Sequence, residues 1–358
     1  MKDYLKQFET IGQYESWLSS NDYIEPSVSH TLDNNVVHYQ PISPAYDYSQ
    51  DYLTIESLED NNTIGWKASN AKLQNIISIS TDEGNTWTAK ESSYYGTTLT
   101  TLNTGDKLLI KGANTIYGNV YSYYNYFTST GNFNVEGNIM SLIYEDNFED
   151  QTTLDSSGYN FRELFRDCNK LISAENLILP TTTLAQYCYR AMFYGCTSLI
   201  TAPELPATTL SQDCYFYMFY GCSSLTTAPE LPATTLADSC YNGMFISCTS
   251  LTSAPELPAT TLAQQCYRVM FNGCTSLTSA PELPATTVGY YCYYGMFQGC
   301  ISLNYIKCLA TNISAYSCTD NWVTNVAASG TFIKDASMSS WKTGKSGIPS
   351  GWIIQDAA

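Results

Sequence analysis

Residues 196–221 read CTSLITAPELPATTLSQDCYFYMFYG, and this 26-residue stretch decides the fold because it repeats. Nearly the same sequence begins again at Cys222, Cys248 and Cys274, with a looser copy from Cys300 and a degenerate one from Cys168. A fixed period of this length is typical of a solenoid, in which each unit buries its apolar residues only by stacking on its neighbours. The repeat therefore predicts a solenoid over residues 159–327.

Each copy divides into a strand, a corner, a short helix and a turn. In the copy from Cys222, the extended segment must stop near Pro229 and Pro232, because proline donates no ladder hydrogen bond. A threonine pair then caps a predicted short helix. A stripe at positions i, i+4 and i+8 predicts the buried face of that helix: Leu236, Cys240 and Met244.

All 13 cysteines fall in or beside the repeats, where their spacing alternates between 18 and 8 residues through the regular copies. The repeat imposes this spacing, so we expect columns of thiols along the stack. A buried, reduced ladder is the predicted state, and disulfides between neighbouring units are the alternative. No CxxC or Cys/His grouping indicates a metal site, and we expect no cofactor.

The bulk composition excludes several classes of partner. The chain has 358 residues and a net charge of −17, with 21 acidic and 7 basic residues in positions 1–158. This balance argues against nucleic acid and anionic membranes, because both require clustered Lys and Arg. No stretch has the length and hydrophobicity of a transmembrane helix, and residues 1–20 lack the apolar core of a secretory signal. We therefore expect neither nucleic-acid binding nor membrane insertion.

The remainder of the chain is predicted to be β-rich. Residues 52–146 alternate in twos and are rich in Thr, Tyr and Ile, which indicates an antiparallel β-sandwich. Before them, helical spacing of apolar residues and two extended runs indicate a short helix and a hairpin. The predicted segments are a helix–hairpin anchor (1–41), a linker (42–51), the β-sandwich domain (52–146), an acidic linker (147–158), the solenoid (159–327) and a β-rich C-terminal cap (328–358).

The repeat carries a recognisable core motif. Met270–Leu277 reads MFNGCTSL, and Met192–Leu199 is nearly identical. This motif resembles the Ala-Phe-x-x-Cys-x-x-Leu core of the BspA-like, or Treponema-type, leucine-rich repeats, whose unit is shorter. The resemblance covers roughly residues 159–327 and implies a leucine-rich-repeat solenoid of short parallel strands plus short helices. Members of that family are commonly bacterial surface proteins or adhesins, which implies binding and no enzymatic activity.

A second resemblance concerns the N-terminal half. Phe8–Leu18 and Asn34–Tyr39 resemble the leader found on many predicted structural proteins of Bacteroidales phages, including crAss-like phages. Ile79–Trp87 (ISTDEGNTW) and Gly131–Asn138 resemble the β-domain that often precedes such repeats in that group. These resemblances imply a virion component whose N-terminus attaches to the particle.

Three sets of residues are candidates for binding. One glutamate recurs every 26 residues and forms either a solvated row or a row for Ca²⁺ or a cationic ligand: Glu204, Glu230, Glu256 and Glu282. One tyrosine also recurs and forms either half-buried helix packing or a ladder for stacking sugars: Tyr189, Tyr215, Tyr241, Tyr267 and Tyr293. Positions 200–201, 211–213, 216–217 and 220 differ between copies, and are where a ligand could be specified.

The candidate anchor lies in the first 41 residues. Its predicted contact residues are Phe8, Ile11, Tyr14, Trp17, Leu18 and His38. The two histidines of the chain, His30 and His38, both fall in the predicted hairpin, so the repeats contain no histidine for a catalytic Ser-His or Cys-His pair. No glycine-rich phosphate-binding motif occurs either.

The sequence thus predicts a non-enzymatic structural and adhesion protein of a virion, such as a phage tail or head fibre component. Residues 1–41 would bind other virion proteins, and the repeats would bind a glycan or protein of the host surface. The alternative is a bacterial cell-surface adhesin of the BspA-like family, located outside the cell. Self-association into a homo-oligomer is compatible with either function.

Overall fold

The computed structural model describes residues 28–33, 36–41, 50–120, 123–154, 156–339 and 341–357. The chain divides into two compact regions, Met1–Asp47 and Tyr48–Ala358. In the first region, strand β1 (Val28–Asp33) pairs antiparallel with strand β2 (Val36–Pro41), in the stretch where the sequence predicts a hairpin.

The second region begins with a β-domain of two sheets. Its strands are β3 (Leu53–Ser57), β4 (Asn62–Ala68), β5 (Ile76–Ser80), β6 (Thr88–Glu91), β7 (Thr97–Leu102), β8 (Lys107–Gly112), β9 (Asn125–Ser129) and β10 (Phe133–Asn138). One sheet has the order β7-β4-β9, and the other contains β10-β3-β8-β5-β6. Alternate residues of β4 are buried (Ile64, Trp66 and Ala68), which is the period of two expected of a strand with one face in a core.

Helix is scarce in the described chain. Helix α1 (Ser141–Tyr144) is the one α-helix among the described residues, and a 3-10 turn at Glu145–Asn147 follows it. Residues 159–327, all of which are described, contain no helix. The predicted fold, a leucine-rich-repeat solenoid of short strands plus short helices, is therefore wrong. The chain is β-rich, with several sheets and long runs of turns.

Overlapping β-turns occupy the segment where each repeat unit was predicted to be helical. We call this segment the turn strip: residues 211–221 and their equivalents in the other units. Every second N–H closes a turn three residues back, as from Phe216 to the carbonyl of Asp213 (3.2 Å). The N–H groups between them donate to the next unit, as from Tyr215 to the carbonyl of Cys240 (3.1 Å). An α-helix would instead bond each N–H to the carbonyl four residues earlier.

The backbone of the turn strip explains the misleading stripe of apolar residues. Every fourth residue is left-handed, with φ of 53° at Asp213, 57° at Tyr217 and 74° at Gly221. Side chains four residues apart therefore share a direction in this strip, as they also do in a helix. The stripe Leu236, Cys240 and Met244 fits both conformations, so its spacing alone does not distinguish them.

The distance between units favours turns over helices. Parallel β-bridges join Thr183, Thr209, Thr235 and Thr261 of successive units, and neighbouring strands lie about 4.8 Å apart. In the turn strip, the rings of Phe193 and Phe219 stack at 5.5 Å. Packed α-helices require about 8–10 Å between their axes. Helices would therefore overlap at this spacing, whereas flat turns stack.

The β-domain and the repeats share one core. Strands β11 (Leu171–Ser173) and β12 (Leu177–Ile178) of the first repeat unit pair parallel with β10. A column of rings also continues across the junction, because Phe161 stacks on Tyr117 of the β-domain at 6.1 Å and on Tyr189 at 5.8 Å. The β-domain thus covers the first repeat unit.

The opposite end of the repeats meets the segment predicted as a cap. Strands β13 (Tyr305–Cys308), β14 (Thr331–Lys334) and β15 (Ile353–Asp356) form a parallel sheet there. Trp322 continues a ring column, stacking on Tyr293 at 6.0 Å and on Trp341 at 5.6 Å. All four residues of the outermost strand β15 are exposed.

The cysteines form part of this interior. Each of the 13 is buried and none is in a disulfide, as the ladder prediction requires. The thiols of one column donate to a backbone carbonyl of the preceding unit, as from Cys222 Sγ to the oxygen of Phe193 (3.1 Å). Burial raises the pKa of the Cys222 thiol well above its usual range, so the thiol stays protonated.

Candidate ligand-contact surface

The recurring tyrosines lie inside the stack. Each of the five is at most 2% exposed: Tyr189, Tyr215, Tyr241, Tyr267 and Tyr293. Their rings stack face to face, with centre distances from 5.8 Å (Tyr189–Tyr215) to 6.4 Å (Tyr267–Tyr293). Neighbouring rings therefore cover both faces of each tyrosine, with Phe161 and Trp322 at the two ends of the column. The prediction that these tyrosines contact a ligand or form a ladder for sugars is wrong, because no sugar can reach them.

The recurring glutamates are exposed at the corner of each unit: Glu204, Glu230, Glu256 and Glu282. Glu204 and Glu230 line a shallow cleft of about 230 Å³, together with prolines of two neighbouring units. At the end of the row, Lys307 Nζ lies 2.9 Å from Glu282 Oε2. Within the described chain, no group of three or more His, Cys, Asp or Glu residues is placed to hold a metal ion. The row therefore has no metal-binding cluster among the described residues.

The candidate anchor is described only in part. Phe8, Ile11, Tyr14, Trp17 and Leu18 lie outside the described residues. In the hairpin, the Cα of His38 is paired with Thr31 and that of His30 with Tyr39, so the two histidines are not directly opposite each other. The anchor role of residues 1–41 stays a prediction.

Within the turn strip, the copy-to-copy differences fall mainly on the outer side, which we call the turn face, and residues 200–201 lie outside the strip. Residues 212 and 200 are exposed, and 201, 211, 216, 217 and 220 are partly exposed, whereas Asp213 is buried. All four arginines of the chain also belong to the turn strip: Arg162, Arg166, Arg190 and Arg268. In a chain of net charge −17, this clustering marks the turn face as chemically different from the rest.

Three of these arginines are neutralised by carboxylates. Arg162 Nε and Arg166 Nη1 lie 2.9 Å and 2.8 Å from the two carboxylate oxygens of Glu163. Arg190 Nη1 lies 3.7 Å from Asp213 Oδ1. Burial raises the pKa of the Asp213 carboxyl, an effect that the charge of Arg190 opposes. The Arg190–Asp213 pair joins two neighbouring units, whereas the pairs of Glu163 lie within one unit, and together they leave little free charge.

Aromatic rings support the arginines from the neighbouring unit. The guanidinium of Arg166 lies 4.1 Å from the ring centre of Tyr194, and that of Arg190 lies 4.0 Å from that of Phe216. Tyr194 in turn stacks on Tyr220 at 4.5 Å. Arginine stacks on ring faces through cation–π attraction, so in this part of the turn face guanidinium groups lie against aromatic rings of the next unit.

Sequence reasoning identified the variable positions but missed the arginines. The available signal was distribution, since all four arginines fall between residues 162 and 268 while the lysines are scattered. What could not be read from sequence was the unit-to-unit geometry that places a carboxylate beside one arginine and a ring beside another.

Comparison of the chain with protein-family models, curated proteins and solved structures found no match. The BspA-like and phage resemblances therefore stay predictions. Among the described residues, no helix has the length and hydrophobicity needed to cross a bilayer.

Proposed function

We propose that this protein is a non-enzymatic binding component of a phage virion, attached through residues 1–41 and contacting the host surface with its turn face. The supporting observation is that conserved and variable residues of each turn strip differ in burial. Residues that recur unchanged, such as Tyr215 and Phe219, are buried in the stack, whereas residues that change between units, such as Phe216 and Tyr220, are partly exposed. A scaffold that varies mainly on one exposed face suits recognition by side chains.

The attachment part of the proposal is tested by deletion. Residues 1–47 form a compact region separate from residues 48–358, so removal of residues 1–41 leaves the repeats and their β-domain whole. Mass spectrometry of purified particles should detect the full-length chain and should not detect the truncated one, while circular dichroism of the purified truncated protein stays β-rich. Particles that incorporate both chains equally would contradict the anchor role.

The adhesion part is tested by competition. Purified full-length protein should reduce adsorption of particles to host cells, because it occupies the same surface ligand. A variant carrying Phe216→Ser and Tyr220→Ser on the turn face should compete less well than a control carrying Thr234→Ala and Thr235→Ala, which are exposed at the corner. Equal competition by the two variants would exclude the turn face as the contact surface.

A further inference from the structure

Arg268 is the arginine of the turn face that has no carboxylate partner. Among the described residues, no carboxylate oxygen lies within 4.0 Å of its guanidinium, whereas the other three arginines each form an ion pair. The guanidinium instead lies 5.2 Å from the ring centre of Tyr294 and 6.0 Å from that of Tyr291. A free positive charge is thus held among aromatic rings at a partly exposed position.

The repeat itself supplies a matched comparison. Arg190 and Arg268 occupy equivalent positions three units apart. Each stacks on the aromatic residue 26 positions later, which is Phe216 for Arg190 and Tyr294 for Arg268. The difference lies 23 positions after each arginine, where Asp213 (φ 53°) pairs with Arg190 and Tyr291 (φ 55°) stands beside Arg268. The same backbone therefore holds a neutralised charge in one unit and a free charge in the other.

Tyr291, which lies beside Arg268, belongs to a cluster of three tyrosines that we call the tyrosine platform. Tyr316 and Tyr290 are 68% and 42% exposed and stack on each other at 5.9 Å. Tyr291 packs edge-on against both, at 4.5 Å from Tyr290 and 5.6 Å from Tyr316. These contacts fix the rings against one another, so the platform is ordered before a ligand arrives and little side-chain entropy is lost on binding.

The backbone N–H groups from Tyr291 to Met296 are all paired within the fold. The N–H groups of Tyr291, Tyr293 and Gly295 donate to carbonyls of the next unit, and those of Cys292, Tyr294 and Met296 close turns. A bound peptide usually pairs its own backbone with a free strand edge. Along this stretch, recognition relies on the guanidinium, the tyrosine hydroxyls and the ring faces.

We propose that Arg268 and the tyrosine platform bind a carboxylated saccharide, with the carboxylate on the guanidinium and a sugar ring on the exposed Tyr316. The planar guanidinium matches a carboxylate with two parallel hydrogen bonds, and the electron-rich face of an aromatic ring attracts the C–H face of a sugar. Residues 159–358 contain 12 acidic and 9 basic residues, so the large negative charge of the chain lies mostly elsewhere. This assignment rests on the proposed function, since it names the ligand class that the turn face would recognise.

The test is calorimetric titration of the full-length protein with hexamers of galacturonate and of mannuronate, and with the methyl ester of each as the uncharged control. At least one acidic hexamer should bind the unmodified protein. The methyl ester should bind the same protein about tenfold more weakly or worse, and the acidic hexamer should bind the Arg268→Gln variant with a similar loss, because each change removes a charged hydrogen-bonded pair. Arg190→Gln is the comparison variant and should weaken binding much less than Arg268→Gln does, because the charge of Arg190 is already paired with Asp213.

A second variant tests the mechanism without deleting the arginine. Tyr291→Asp copies the arrangement at Arg190, so the new carboxylate should pair with Arg268 and neutralise its charge. Binding of the acidic hexamer should then weaken about as much as in Arg268→Gln. Aspartate tolerates the left-handed conformation at least as well as tyrosine, so the variant should fold, although it loses the ring contacts of Tyr291 with Tyr290 and Tyr316. Retained binding in a folded Tyr291→Asp variant would overturn the role of the free charge.

Three other results would overturn the proposal: no binding of either acidic hexamer, equal binding of the methyl esters, or equal binding of a polyglutamate peptide. The last of these would assign the site to acidic proteins. The outcome is separable from the proposed function, because incorporation into particles and competition for adsorption are measured without any saccharide.

Discussion

Two kinds of residue alternate within each turn strip, and they differ in how strongly their identity is kept from one unit to the next. Inward residues such as Phe219 recur unchanged and touch their own counterparts in the next unit, at 5.7 Å to Phe245. Outward residues such as Tyr220 are succeeded by unlike residues, here Ile246. Within the turn strip, residues that are identical between copies are therefore those that stack on their counterparts. Residues that differ between copies are those whose side chains are available to contact another molecule. The recurring tyrosines illustrate the first case, and the two environments of Arg190 and Arg268 illustrate the second.

The interior should make the protein sensitive to alkali, which is the largest effect expected. Burial raises the pKa of Cys214, Cys300 and Cys308 from 9.0 to about 12. Because the folded-state pKa is the higher one, this stability is complete below the unfolded pKa near 9 and is lost as the pH rises toward 12. In that pH window, each of these thiols lowers the free energy of unfolding by up to about 1.4 kcal/mol per pH unit.

Urea unfolding at about pH 8 and about pH 10.5 measures this effect. The free energy of unfolding should fall steeply at the higher pH, and it should fall less in a variant carrying Cys214→Ala and Cys300→Ala. Equal pH dependence in the two proteins would show that these thiols are not held protonated by burial.

Truncation of adjacent residues should separate the two kinds of position. Phe219→Ala removes a fully buried ring from the column and should lower the free energy of unfolding by about 3–5 kcal/mol. Tyr220→Ala removes a partly exposed ring that stacks on Tyr194 and should cost about 1 kcal/mol. Urea denaturation of both variants gives the difference directly. Similar losses would mean that the turn face is as structural as the interior.

The smallest effect concerns one irregular copy. Ser247 has φ of 59°, at the position occupied by a left-handed glycine in four other units: Gly195, Gly221, Gly273 and Gly299. Ser247→Gly should raise the free energy of unfolding by up to about 1 kcal/mol, because glycine has no Cβ penalty there. Ser250→Gly is the control, since Ser250 is not left-handed, and it should lower the thermal midpoint. A lower midpoint for Ser247→Gly would mean that its hydroxyl stabilises the fold.

Part of the fold and of the candidate surface was readable from the sequence. The alternation in residues 52–146 corresponds to strands such as β4, and the fixed period predicted that equivalent cysteines and tyrosines form columns. The helix was not correctly predicted, because a stripe at i, i+4 and i+8 also fits a strip of turns with a left-handed residue every four positions. Tyr217 shows why this was hidden, because tyrosine does not normally indicate a left-handed backbone.

The sequence by itself determined which residues of successive repeat units lie next to each other. A strict 26-residue period places like residues next to like, so the columns of Cys, Phe and Tyr follow from the repeat alone. The tertiary structure decided the conformation within each unit, since the spacing of about 4.8 Å between strands leaves no room for helices side by side. It also decided which charges are free, because the carboxylate beside Arg190 comes from the next unit. Asp213 neutralises Arg190 there, whereas Tyr291 leaves Arg268 without a carboxylate.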